Sequence, residues 1–283
     1  MQADPITHEA DWQTLTDRAH APLAQRWLYG AAAQAVGREA RRVLVMDGDR
    51  PVAVAQSVCR KLGGVSVGLV TQGPLFIAPC DPRRALKTLR RALPRLTVMT
   101  PSSHLRRLSL SAATPTLVID LTHDENHLRT GLNSKWRNAL KNAEKTRLKV
   151  AQITATQAAL TPLLHSEKQR QSQGHYRALP PEFTLALLHV APRAFRLFEA
   201  SNAQMLFLRH GNSATYQMGY AGPEGRAVNA HNLILWEAMM RLKSEGVERL
   251  DLGTFDAVKA PDLARFKMRT GGAQVVWAPA QLL

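Results

Sequence analysis

The sequence predicts an α/β (α+β) protein made of two copies of one small unit, each a mixed, mostly antiparallel sheet flanked by helices. Three observations carry this. Short runs rich in Val, Leu and Ile are separated by turn-forming Gly, Pro, Asn and Asp, as in strands joined by hairpins. Longer stretches place apolar residues three and four apart, the helical period. The order helix, hairpin, strand, helix, strand occurs twice, although the residues of the two halves match poorly.

In the first half, PLAQRWLYGAAAQAVG leads into RRVLVMDGDRPVAVAQSVCRKL, two apolar runs around the turn-prone DGDRP and hence an antiparallel hairpin. VSVGLVTQGPLFI adds a strand broken at Gly73-Pro74. DPRRALKTLRRAL is a short helix with Ala85, Leu86, Leu89 and Leu93 on one side and a basic opposite side. LTVMT and TLVIDL supply further strands. SKWRNALKNAEKTR, TQAALTPLLHSEKQRQS and PEFTLALLHVA are helical. AFRLFEASNAQMLFLRHGNSATYQMGYA then gives three strands around SNA and HGNS, NLILWEAMMRLKSEG an amphipathic helix with a glycine stop, and VERLDLGTF a strand. The pairs Gly63-Gly64 and Gly271-Gly272 are read as turns.

A chain of 283 residues can bury one large core or two modest ones. Two cysteines, Cys59 and Cys80, are too few for a disulfide scaffold and point to a reducing compartment. Both adjoin apolar strands and are read as small buried hydrophobes rather than nucleophiles. MQADPITHEADWQTL has acids where an export signal needs basic residues, and no apolar run approaches the roughly 20 residues of a membrane span. The expectation is a cytoplasmic protein with peripheral access to an anionic membrane. A net charge of +15 attracts nucleic acid, anionic lipid or phosphate-bearing metabolites without choosing among them. It is uneven. Residues 81–110 hold Arg83, Arg84, Lys87, Arg90, Arg91, Arg95, Arg106 and Arg107 against Asp81 alone, and residues 129–149 hold seven basic residues against Glu144.

No phosphate loop or dinucleotide fingerprint is present. HExxH and zinc-spaced cysteine pairs are also absent, and the histidines are read as scattered, with no metal site. In SKWRNALKNAEKTR, Leu132, Trp136, Leu140 and Ala143 form an apolar face, beside a stripe of Arg137, Lys141 and Lys145. The stripe either meets an anion or is a salt-screened surface. Asp251, near a strand end before Gly253, can orient an amine, accept a proton, pair with Lys267 or Arg269, or cap the strand-end loop. Lys267 can neutralise a phosphate, stabilise charge developing on a carbonyl, or pair with an acid. Arg269 is available for an anion. Tyr216 and Tyr220, along one strand, line a cleft or pack.

LNSKWRNALKNAEKTRLKV, HNLILWEAMMRLKSEGVERLDLG, LARFKMRTGG and the opening PLAQRWLYGAAAQAVG with AVAQSV resemble the Fem-type branch of the GNAT acyltransferase superfamily, over roughly residues 10–275. The resemblance implies tandem GNAT-like domains, at 1–125 and 191–283, joined by linking helices over 126–190. It implies transfer of an acyl or aminoacyl group to an amine, from acyl-CoA or aminoacyl-tRNA as donor substrate, with no tightly bound cofactor. In bridge-forming members the donor is aminoacyl-tRNA and the acceptor a phosphate-bearing muramyl-peptide precursor, so an anionic small-molecule or peptide acceptor, and tRNA, are the implied partners. The family's basic helix corresponds to Lys135, Arg137, Asn138, Lys141 and Lys145, its aspartate-glycine strand end to Asp251 and Gly253, and its phenylalanine-lysine motif to Phe266 and Lys267. Asp251 and Lys267 are the implied catalytic residues; Arg137, Lys141, Lys145, Tyr220 and Arg269 are the substrate-binding candidates. The chain is short for bridge-forming members and lacks the long coiled-coil arm of some of them. The competing reading is a non-catalytic nucleic-acid or anionic-membrane binding protein on a degenerate acyltransferase fold.

Overall fold

The chain opens with β1 (Gln2–Pro5), α1 (Glu9–Arg18) and α2 (Trp27–Ala35) and then folds the predicted hairpin. In this computed structural model, which describes residues 1–103, 109–174 and 179–283, β2 (Glu39–Asp47) and β3 (Arg50–Leu62) turn at Gly48-Asp49, with Asp47 opposite Arg50. A second hairpin at Gly63-Gly64 sets β4 (Val65–Val70) against β3, and the short β5 (Leu75–Phe76) also pairs with β3. The helix α3 (Pro82–Ala92) begins where the Asp81 carboxylate accepts the Arg83 N–H at 2.9 Å and Pro82 fills the first turn. Its apolar side, Ala85, Leu86 and Leu89, is buried with Val43, Val45, Val70 and Met99 of the sheet, while its arginines and Lys87 are exposed. The strand β6 (Leu96–Met99) returns parallel to β4. Arg106 and Arg107 of the first basic cluster lie outside the described residues.

The second unit contains β7 (Thr114–Asp120), α4 (Glu125–Gly131), α5 (Ser134–Lys145), β8 (Ala151–Ile153), α6 (Gln157–Gly174) and α7 (Pro181–Val190). Then follow β9 (Phe195–Ala200), β10 (Ala203–His210), β11 (Ser213–Ala221), α8 (Pro223–Ala227), α9 (Ala230–Ser244), β12 (Arg249–Thr254), α10 (Pro261–Met268) and β13 (Ala273–Trp277). Its sheet runs β13-β7-β12-β11-β10-β9-β8. The chain ends in β14 (Gln281–Leu282), which closes the other sheet in the order β1-β2-β3-β4-β6-β14. Within each seven-stranded sheet one segment repeats: three consecutive antiparallel strands, a helix, and a strand parallel to the third, β6 beside β4 in the first and β12 beside β11 in the second.

The division falls differently from the expected boundaries at 125 and 190: one unit is 1–114 with 276–283, the other 115–275. TLVIDL, expected in the first unit, is β7 and pairs antiparallel with β12; the helices of 126–190 fold within the second unit. The parallel arrangement leaves one edge of β6 and one of β12 open, and β14 and β7 fill these edges. Periodicity shows that a run is a strand but not which edge it completes.

In the second unit, Leu132, Trp136, Leu140 and Ala143 are buried as their spacing predicts, against α9. That helix departs from its amphipathic reading. Ala230, all of 232–236, Ala238, Met239 and Leu242 are buried, because α9 lies between the sheet and α5. No helix among the described residues is long and apolar enough to cross a membrane.

Candidate active site

The parallel ladder of β11 and β12 holds only three pairs, the last being Thr215 with Asp251. Beyond it the facing edges of residues 216–221 and 252–254 have no ladder partners in each other. Two irregularities open it. A bulge between Leu206 and Phe207 shifts the β10–β11 register, and another between Asp251 and Thr254 shifts β12 against β7. Gly253, in that second bulge, has φ +76°, where a side chain is strained. A Cβ there would stand 3.7 Å from both Lys267 Nζ and the Tyr216 carbonyl oxygen.

Lys267 reaches this opening from α10. It is only 5% exposed, its Nζ donates to the Thr254 carbonyl at 2.9 Å, and the ammonium stands 5.5 Å from the centre of the Tyr216 ring. Burial brings its pKa down to about 8, against the upward pull of the Asp251 and Glu167 charges. It forms no ion pair among the described residues, so an ammonium with three N–H donors commits one of them to the protein. Asp251 is half-buried and its Oδ1 accepts the Gly253 N–H at 2.7 Å. Burial raises its pKa, opposed by that hydrogen bond and by Lys267 and Arg249. The Asp251 carboxylate therefore holds the bulge that presents Thr254 to Lys267. Burial drives the Tyr216 phenol up to about 12, so it stays neutral.

Behind Lys267, Phe266 packs on Trp136 of α5, with ring centres 5.9 Å apart, and on His231 of α9 at 6.3 Å. The His231 Nε2–H donates to the Tyr220 carbonyl at 2.8 Å, and burial lowers its pKa. Glu167 of α6 is the acid that sequence reasoning missed. It is 6% exposed, accepts from Arg170 at 2.6 Å, and its charge reaches Lys267 and Tyr216. The signal available was modest: it is the only acid in the α6 sequence.

The binding candidates separate. Arg137 is half-buried and donates to the Leu132 carbonyl at 3.0 Å, whereas Lys141 and Lys145 are exposed. Glu144 leaves their stripe unneutralised, since both of its oxygens accept from Arg129, at 2.6 and 2.9 Å. The Arg269 carbonyl accepts the Asn133 N–H at 3.0 Å, joining the end of α10 to the start of α5. Tyr220 stands in a cross-strand row with Ala151, Glu199 and Gln204, and these four line a groove of about 460 Å³ under Pro162.

Two further sequence patterns, GVSVG and HDENH, form no site. GVSVG at 64–68 matches a nucleophile-elbow spacing, but Ser66 lies inside β4 of a hairpin, not at a strand-to-helix turn. His123 and His127, an HxxxH pair, stack with ring centres 4.1 Å apart, and no group of three potential metal ligands occurs among the described residues. Cys59 is buried and its thiol pKa is raised by burial, as fits a small apolar residue.

Residues 126–268 match the acetyltransferase (GNAT) domain family. The fold is similar to the crystal structure of FemX, with a TM-score of 0.77 at 12% identity, covering 100% of this chain and 98% of that one. A conserved protein of unknown function from Bacteroides thetaiotaomicron aligns at TM-score 0.62 and 11% identity over 99% of both chains. The C-terminal domain of a putative lysylphosphatidylglycerol synthetase from Agrobacterium fabrum aligns at TM-score 0.52 and 14% identity, over 97% of this chain and 92% of that one. Comparison with curated proteins gave no match. Together with the repeated sheet–helix–parallel-strand unit, these findings make the chain a member of the GNAT acyltransferase family, with a two-unit fold of the FemX type.

Proposed function

We propose that the protein is an N-acyltransferase that moves an acyl or aminoacyl group from acyl-CoA or aminoacyl-tRNA to an amine on an anionic small-molecule or peptide acceptor. The observation that carries this is a buried ammonium, Lys267, anchored at the open end of the β11–β12 ladder, with one of its three N–H groups committed among the described residues. The amine nitrogen attacks the donor carbonyl carbon, a C–N bond forms, and the C–S or C–O bond to the donor breaks. Lys267 stabilises the oxyanion that develops between these events. The amine proton passes to the departing thiolate or alkoxide, directly or through water. Asp251 is a positioning residue that sets the Gly253 bulge and keeps Lys267 charged.

The test is a transfer screen with acyl-CoA and with charged tRNA against amine acceptors, read by product mass. Absence of a covalent product with both donor classes would overturn the proposal. The role of Asp251 has its own signature. Asp251→Asn keeps an acceptor for the Gly253 N–H but removes a charge that holds the Lys267 pKa up. It is expected to keep kcat within about tenfold at pH 7, with its alkaline limb moved below the wild-type value near pH 8. Asp251→Ala loses the bulge contact and falls much further. Equal losses in both variants would make Asp251 the proton acceptor instead.

The unneutralised stripe supports an anionic substrate. Replacing Lys141 and Lys145 together by Glu is expected to raise KM about tenfold or more at low salt with kcat little changed, since these exposed cations hold substrate in ground and transition states alike. An unchanged KM at low salt would return the stripe to a solvated surface.

A further inference from the structure

The first sheet has one half-covered face. Over β2 and β3 it is roofed by the α1–α2 segment, with Trp12, Leu44 and Val54 packed together and Gln56 bonded to the Ala24 and Arg26 carbonyls at 3.0 and 2.9 Å. The cover stops at Val58. From there the registers Leu62 with Val65, Val67 with Leu96, and Leu69 with Val98 put these six apolar side chains on a single face. Leu62, Val65, Leu69 and Leu96 are 51%, 51%, 46% and 49% exposed, too many large hydrophobic residues in one cluster for an ordinary solvated surface. The opposite face is packed: a Cβ on Gly68 would lie 2.6 Å from Thr97 Oγ1 and 2.7 Å from Ser57 Oγ.

Charge identifies the occupant. Residues 50–119 contain one acid, Asp81, and that carboxylate caps α3. Arg60, opposite Val67, shares the apolar face, and Arg95 precedes Leu96; both are exposed and neither meets a carboxylate among the described residues. A second copy of the chain would bring Arg60 and Arg95 against their like on a protein of net charge +15. A nucleic acid would use the charge but find no aromatic side chain among the described residues of this face to stack on. An anionic lipid surface satisfies both features, with acyl chains against the leucines and valines and phosphates against the arginines. We propose that the open face of β3, β4 and β6 seats the protein on anionic membranes.

The test is co-sedimentation of the full chain with phosphatidylcholine vesicles, pure or with about a third phosphatidylglycerol. Wild type is expected to bind the mixed vesicles at least about tenfold more tightly than the neutral ones. Leu62→Ser with Leu69→Ser, which alters no charge, is expected to weaken binding by about tenfold or more. Arg60→Gln and Arg95→Gln each cost roughly fivefold. Both leucines and both arginines are exposed, so thermal melts should be unchanged, as should transfer to a soluble acceptor, which separates this proposal from the acyltransferase reading. Three results would overturn it: no vesicle binding by wild type, full binding by the serine pair, or a wild-type dimer in sedimentation that the serine pair converts to a monomer.

Discussion

Lys267→Met is expected to lower kcat by about 10²- to 10³-fold, the loss typical of removing one preorganised donor to an oxyanion, with little change in KM. Its effect on stability is small, because two contributions oppose each other. A lysine whose pKa is 10.5 when unfolded and about 8 when folded is penalised by burial in its charged form. Between these values the unfolded chain binds more protons, so native stability rises with pH from about 8 to 10.5; below about 8 the penalty is present in full, on the order of 3 kcal/mol. Methionine removes that penalty but strips the Thr254 carbonyl of its donor, a cost of about 1–3 kcal/mol. The two nearly offset at pH 7, so the melting temperature should stay within a few degrees while activity collapses. Wild type should also show a rate that declines above about pH 8 as Lys267 loses its proton, provided that a donor with a stable ester or thioester is used. Wild-type activity in the methionine variant would remove Lys267 from the chemistry, and a large fall in melting temperature would make it a structural residue.

Trp136→Ala is expected to cost about 3–5 kcal/mol, read as a lower denaturation midpoint at unchanged slope. Trp136 is 3% exposed in a core shared with α9, and its ring supports Phe266, the residue before Lys267. Truncation leaves a cavity between α5 and α10 as well as losing apolar contact. Against a usual total of about 5–15 kcal/mol, this is a large fraction of the stability. Trp136→Phe should recover most of it, because the Trp136 indole N–H has no hydrogen-bond partner among the described residues. A cost under about 1 kcal/mol for Trp136→Ala would show that the helix is held mainly by other contacts.

The same two residues mark what could be read in the sequence. Trp136, with Leu132, Leu140 and Ala143, was legible because helical spacing puts them on one side of a cylinder regardless of what they pack against. The DGDRP and Gly63-Gly64 turns were legible because turn chemistry is local. Lys267 was legible as a cation for an anion or a developing oxyanion, but nothing in FKMR announces an ammonium held by a carbonyl thirteen residues earlier. Glu167 was marked only as the one acid of its helix, which does not show that its charge reaches Lys267. The apolar face of the first sheet was spelled out in VSVGLV and LTVMT, yet a strand pattern does not show how much of a face the helices cover.

Local patterning was enough for the β2–β3 hairpin, the main strands and helices, their repeated order, the charge and the apolar face of α5, since each depends on residues a few positions apart. The tertiary structure decided which edge β7 and β14 complete, where the β11–β12 ladder opens, and which charges surround Lys267. These depend on groups far apart in the chain. Edge pairing goes to whichever strand satisfies exposed backbone groups, and a lysine's protonation follows its burial and neighbouring charges, neither of which is encoded by the residue type at position 267.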